Sequence, residues 1–196
     1  MQIKFIIKTL IAVMALILAA NIVYADTVKM ISAKDHIKGL AQVLYGAEHV
    51  STMPALFPTQ IPARKNLSRL YASFSSYATK PDFHKFWQIN AGATPACKGA
   101  RFCNVGFVSA ERDGKLETTF GGMIPNSAKQ PKEPVTLQNG TVAYFTPGHA
   151  EGDFHPAMLE WQMNNVLYTL TWNAKKGTEK DTLTTMANSA LSSSKN

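Results

Sequence analysis

From Leu70 onward the chain alternates apolar and polar positions with period two. In LYASFSSYAT, Leu70, Ala72 and Phe74 fall on one parity and Tyr71, Ser73, Ser75 and Tyr77 on the other. In FHKFWQI, Phe83, Lys85, Trp87 and Ile89 oppose His84, Phe86 and Gln88. Extended strands point successive side chains to opposite faces, so this period predicts β-structure, and Pro81-Asp82 between the two runs predicts a hairpin. Three further pairs of runs follow: NVGFVSAER and KLETTF around Asp113-Gly114, PVTLQ and TVAYF around Asn139-Gly140, MLEWQM and VLYTLTW around Asn164-Asn165. Asp-Gly and Asn-Gly suit type I′ turns, whose two central residues need positive φ, and Asn tolerates that conformation as well.

On either side of this region the period changes. In KDHIKGLAQVLY (34–45), Ile37, Leu40, Ala41 and Leu44 form an i, i+3, i+4, i+7 stripe, which predicts a helix ended by Gly46. His36 and His49 flank it and are expected to face solvent. Pro54, Pro58 and Pro62 then recur every fourth residue, which excludes both a regular helix and a central strand. This segment is expected to be a connection laid on the surface. At the other end Thr178 is placed to cap a helix with Glu179 and Asp181 in its first turn, where negative charge suits the helix dipole. Leu183, Met186, Ala187, Ala190 and Leu191 give that helix one apolar stripe. The expected fold class is α+β: a curved antiparallel sheet of about six to eight strands in hairpins, with an N-terminal helix and a C-terminal amphipathic helix packed on the sheet.

The first 25 residues read differently again. Lys4 and Lys8 precede an apolar run from Leu10 to Ala20, and Val23-Tyr24-Ala25 ends it with small residues at the −3 and −1 positions. This is the pattern of a secretory signal peptide (1–25) cleaved before Asp26, and no cysteine follows the cleavage site to carry a lipid anchor. Residues 26–66 then hold the N-terminal helix and Pro-rich connection, and 67–196 the sheet and terminal helix, as one mature domain of 26–196. The expected location is periplasmic or secreted, with no stable membrane anchor after cleavage. Lys4 and Lys8 are the signal's only charges, so cleavage lowers the net charge from +7 to +5. The remaining Lys and Arg are scattered, with no run long enough for a nucleic-acid arm.

Export also changes the meaning of the cysteines. Cys97 and Cys103 are the only two, and an even count in an oxidising compartment predicts a disulfide between them. It closes a short loop and is worth about 2 kcal/mol on chain entropy, enough to fix that loop but not the whole fold. The loop reads Cys97-x2-Ala100-x2-Cys103-x2-Gly106. Together with the downstream V-x-L-x-N-G-x-x-A-Y-F run, the Glu160-Trp161 strand, the strand holding Tyr168 and the closing MANSAL helix, it resembles a group of uncharacterised exported bacterial proteins with no assigned activity. The resemblance spans about residues 68–192. It implies an exported, disulfide-bearing α+β domain and contributes no catalytic residues. Some members carry a second cysteine pair before the Glu-Trp strand, near the positions of His149 and His155 here.

That region, PGHAEGDFHP (147–156), is the one stretch whose chemistry could name an activity. In an extended strand His149, Glu151, Asp153 and His155 would share one face, and two imidazoles with a carboxylate suit Zn²⁺ or Cu²⁺. The bounding Pro147-Gly148 and Pro156 make it a loop, however, and no recognised metalloenzyme spacing is present. There is no G-x-S-x-G elbow and no glycine-rich phosphate loop either. Glu160 falls on the parity opposite Leu159, Trp161 and Met163 and is expected to face solvent. The aromatics of the strands are expected mainly in the core, with Tyr71, Tyr77 and Trp87 as candidate stacking residues on a sheet face. The expectation is therefore a non-enzymatic envelope protein without a cofactor. It would bind a protein, peptide or envelope polymer through a sheet face or the disulfide loop. The alternative is a metal-binding exported protein using the His149–His155 loop.

Overall fold

A computed structural model describes residues 28–51, 53–64, 69–75, 85–100, 102–120, 130–148 and 156–193. The expected signal peptide lies outside them. The fold is mixed α/β, built on an eight-stranded, mostly antiparallel sheet. One half is a meander of β4 (Leu70–Ser75), β5 (Phe86–Gly92) and β6 (Asn104–Arg112), and the other a meander of β9 (Glu133–Thr136), β10 (Val142–Thr146), β11 (Met158–Met163) and β12 (Val166–Trp172). The halves join where the last strand, β12, pairs with β6, with Tyr168 opposite Ala110 and Trp172 opposite Gly106. At the far edge β2 (Ile37–Lys38) runs parallel to β4.

The register stacks the core in rows. Trp87, Ala110, Tyr168, Trp161 and Ala143 cross five strands side by side on one face. Small Ala110 and Ala143 leave room for the rings. Trp161 stacks on Tyr168 with centroids 5.5 Å apart, and Trp87 meets Tyr168 edge-on at 6.4 Å, both favourable aromatic geometries. The next row, Ile89, Val108, Leu170, Leu159 and Phe145, is aliphatic apart from its edge. All these residues are buried.

Helix α3 (Glu179–Ser193) joins this core with Leu183, Met186, Ala187, Ala190 and Leu191, the stripe read from the sequence. It is also tied to the β9–β10 turn, where the Gln138 N–H donates to Asn188 Oδ1 at 2.8 Å. Thr178 donates its hydroxyl to the Lys175 carbonyl, while the Glu179 carboxylate accepts from the Gly177 N–H in front of the helix.

Four local expectations are corrected. The single helix over 34–45 does not form as one element. A turn of helix α1 (Ala33–His36) gives way to β2, Gly39 adopts φ +80°, and α2 (Leu40–Val50) starts there and runs through Gly46. Ile37 and Lys38 are taken by pairing with Leu70 and Tyr71, and a left-handed Gly then restarts the chain. The proline-spaced segment is not a surface connection: Met53, Leu56, Phe57 and Ile61 are all buried. Its end, β3 (Gln60–Pro62), pairs with β1 (Met30–Ser32). Asp113-Gly114 makes no hairpin, because β12 already occupies that edge of β6 and Gly114 packs against Leu167. Only Asp113 takes positive φ, and the chain leads away to a separate pair, β7 (Thr119–Phe120) with β8 (Gln130–Pro131). The Asn139-Gly140 hairpin forms, but with positive φ at Gly140 alone. Its bonds, Gly140 N–H to Leu137 O and Leu137 N–H to Thr141 O, describe a turn followed by a left-handed glycine rather than type I′. At Asn164-Asn165 both residues take positive φ, 52° and 60°, as expected.

Tyr168 provides a test of the core. Its hydroxyl donates to the Pro54 carbonyl at 3.3 Å, pinning the proline segment to the sheet. Burial pushes its pKa up to about 12, against a smaller downward pull from Arg112. An unfolded tyrosine titrates near 10, so between pH 10 and about 12 the unfolded chain releases a proton that the folded chain keeps. Stability should be intact below pH 10 and fall across that window. In Tyr168→Phe the fall should shrink, as read by urea unfolding at stepped pH; an unchanged pH profile would refute the assignment.

Candidate functional site

The cysteine pair is a disulfide, with Cα atoms 5.6 Å apart. The loop is built from its own sequence. Lys98 and Gly99 take consecutive positive φ values, 42° and 83°. This lets the Ala100 N–H reach the Cys97 carbonyl at 2.7 Å while the Asn104 N–H reaches the Ala100 carbonyl at 3.0 Å. At the base the Ala93 N–H donates to the Cys103 carbonyl.

Two glycines let this loop lie down on the sheet. A Cβ on Gly92 would stand 2.5 Å from the Cys97 Cβ, and one on Gly99 would stand 3.1 Å from the Asn90 carboxamide oxygen. Asn90 is 1% exposed beneath the loop. It accepts from Gln88 Nε2 at 2.7 Å and donates to Ser75 Oγ at 3.3 Å, so the buried amide is satisfied from both sides. The result is a covalently closed loop seated on β5 that holds Phe102 93% exposed. Lys98 is exposed on the same loop.

The sheet face carrying Asn90 is the polar one. Ser75, Gln88, Ser109, Thr169, Glu160 and Tyr144 form one row across six strands. Glu160 does not face solvent as its parity suggests. The chain from Asp113 to Phe120 and from Gln130 to Lys132 folds back toward it, with Gln162 Nε2 donating to the Gly114 carbonyl. Lys132, buried, donates its ammonium to the Glu160 carboxylate, and the two side chains are only 5% and 13% exposed.

Of the candidate stacking aromatics, Tyr71 is half-buried on this polar face, opposite Gly92. Trp87 is wholly buried in the opposite face and offers no surface to a ligand; its parity put it among the core residues of β5. Tyr77 lies outside the described residues, as do His149, Glu151, Asp153 and His155. Among the described residues no group of three or more His, Cys, Asp or Glu could hold a metal ion. No helix of the described residues is long and apolar enough to cross a membrane. Sequence reading missed the exposure of Phe102 and the Lys132–Glu160 pair. The first had a usable signal, an aromatic next to a cysteine in a tightly closed loop; the second pairs residues 28 positions apart and had none.

In comparisons with family models, curated proteins and solved structures, the chain matches none. Its class is therefore defined by its own architecture, a disulfide-bearing α/β domain on a large, mostly antiparallel sheet.

Proposed function

We propose that this chain is exported, loses residues 1–25, and acts in the envelope as a non-enzymatic binding domain that contacts its partner through the Cys97–Cys103 loop. The observation that carries this reading is Phe102. Phe102 stands 93% exposed on a disulfide-closed loop, and aromatic anchors dominate binding at interfaces. The disulfide restrains the loop backbone before binding, which lowers the entropy cost of presenting such an anchor. A structural disulfide fits an oxidising compartment. The partner is an envelope protein, peptide or polymer, and the exposed Lys98 on the same loop favours an anionic one.

Phe102→Ala should leave the unfolding midpoint of the mature chain unchanged, since the side chain packs against little. It should reduce co-sedimentation with isolated cell envelopes about 30-fold, the effect of losing an anchor worth about 2 kcal/mol. Equal co-sedimentation of wild type and variant would eliminate the loop as the contact. N-terminal sequencing of the exported protein should begin at Asp26.

A further inference from the structure

Lys and Arg are scattered along the chain, but the sheet gathers several of them at one end. Strands β4, β5, β6 and β12 are consecutive neighbours. Arg69 immediately precedes β4, Lys98 sits on the loop from β5 to β6, and Lys175 and Lys176 follow β12. With strands ~4.8 Å apart, these positions fall along a row of roughly 15 Å. Hydrogen bonds tie its parts together: the Ala93 N–H donates to the Cys103 carbonyl and the Asn173 N–H to the Val105 carbonyl, each at 2.8 Å. Arg64 reaches the same end, its guanidinium donating to the Asn173 carbonyl at 2.6 Å. Arg69, Lys98, Lys175 and Lys176 are exposed, and the described residues of the row include no carboxylate. Glu179 instead accepts from the Gly177 N–H, and Glu133, on the outer strand β9, pairs with Lys180. Phe102 stands within the row, on the loop that carries Lys98.

The geometry points to an acidic polysaccharide laid along this row, with its acidic groups on the cations and a sugar ring against the face of Phe102. This rests on the Cys97–Cys103 loop being the contact and names the class of partner. The backbone N–H groups of Ala93, Cys97, Ala100, Cys103, Asn104 and Asn173 are all spent inside the protein. A peptide strand therefore finds no ladder to extend here, and recognition falls chiefly to the cationic side chains. An anionic bilayer would need apolar area to bury, and Phe102 is the row's one exposed large hydrophobic. A linear polyanion matches charges set in a line, and the electron-rich face of an aromatic ring suits the C–H groups of a sugar.

The test titrates the purified mature chain with size-fractionated polygalacturonate in a calorimeter, with neutral dextran and phosphatidylglycerol vesicles as parallel arms. Polygalacturonate should bind saturably, dextran should not bind, and the vesicles should bind more weakly per anionic group. Raising the ionic strength from about 0.05 M to about 0.5 M should weaken binding at least about ten-fold, because exposed charges are screened. Lys98→Gln/Lys176→Gln should weaken it about ten-fold. Lys85→Gln/Lys115→Gln makes the same charge change at the opposite end of the sheet, before β5 and after β6, and should bind as wild type does. Phe102→Ala should weaken binding several-fold, whereas Phe102→Trp, which keeps an aromatic face, should not. Absence of saturable polygalacturonate binding, equal losses in the two lysine pairs, or tighter binding to the vesicles overturns the proposal. If polygalacturonate fails to bind while Phe102→Ala still loses co-sedimentation with envelopes, the polysaccharide falls and the loop stands as the contact.

Discussion

Glu160→Gln should destabilise the protein by about 3 kcal/mol, because it leaves the Lys132 ammonium buried without its counter-charge. Breaking a buried ion pair from one side costs about 3–5 kcal/mol, most of it the penalty of an uncompensated charge. The lower end applies here because the Glu160 side chain keeps 13% exposure and some water can reach the ammonium. For a domain of this length that loss corresponds to a midpoint lower by about 6–12 °C. Lys132→Met should cost a similar amount by stranding the carboxylate. The double variant Lys132→Met/Glu160→Met should recover most of the loss, since an apolar pair of similar volume needs no desolvation of charge. Urea denaturation of the four proteins gives the coupling directly. Single-variant losses under about 1 kcal/mol would mean that the pair behaves as a solvated surface contact.

Gly106→Ala should be the most damaging single methyl added to this sheet. The new Cβ would lie 2.3 Å from Trp172 Cε3 and 2.4 Å from the Thr171 carbonyl oxygen. Neither can yield cheaply. Trp172 is fully buried, and the Thr171 carbonyl belongs to the backbone of β12, which pairs with β6 on one side and β11 on the other. Overpacking a core costs about 1–3 kcal/mol and occasionally more; with a backbone atom in the way, we expect the upper end or beyond. Gly46→Ala is the contrasting case. Gly46 sits within α2 with nothing within 4 Å of the added Cβ, and the change should stabilise by about 0.5–1 kcal/mol. Thermal unfolding of both variants should therefore move in opposite directions. A Gly106→Ala midpoint equal to wild type would show that β6 and β12 are looser at this point than their register implies.

These two sites show what could be read along the chain. Strand parity was partly legible: Leu159 and Trp161 were set together on one parity of their strand and both are buried, whereas Trp87, a candidate stacking residue, lies wholly in the core. The α3 stripe was legible for the same reason, as was the Asn164-Asn165 turn, whose two residues are both left-handed. The disulfide followed from an even cysteine count read with an expected oxidising compartment. Asp113-Gly114 was an equally good turn by composition, yet no hairpin forms there, because β12 claims the edge of β6 that KLETTF would have needed. The 34–45 stripe was helical by periodicity, yet two of its residues were drawn into the sheet beside β4.

What the sequence determined alone is whatever depends on neighbours within a turn or a strand: side-chain parity, helical stripe, turn conformation and the closing of one short loop. Steric and capping preferences act over a few residues, so they are written locally. What only the tertiary structure decided is which strands became neighbours, and therefore what covers each face. The union of β6 with β12, the closeness of Gly106 to Trp172, the burial of Lys132 against Glu160 and the inward packing of the proline segment all follow from it. Each depends on pairings between residues far apart in the chain, chosen by competition for sheet edges and buried area that no local pattern records.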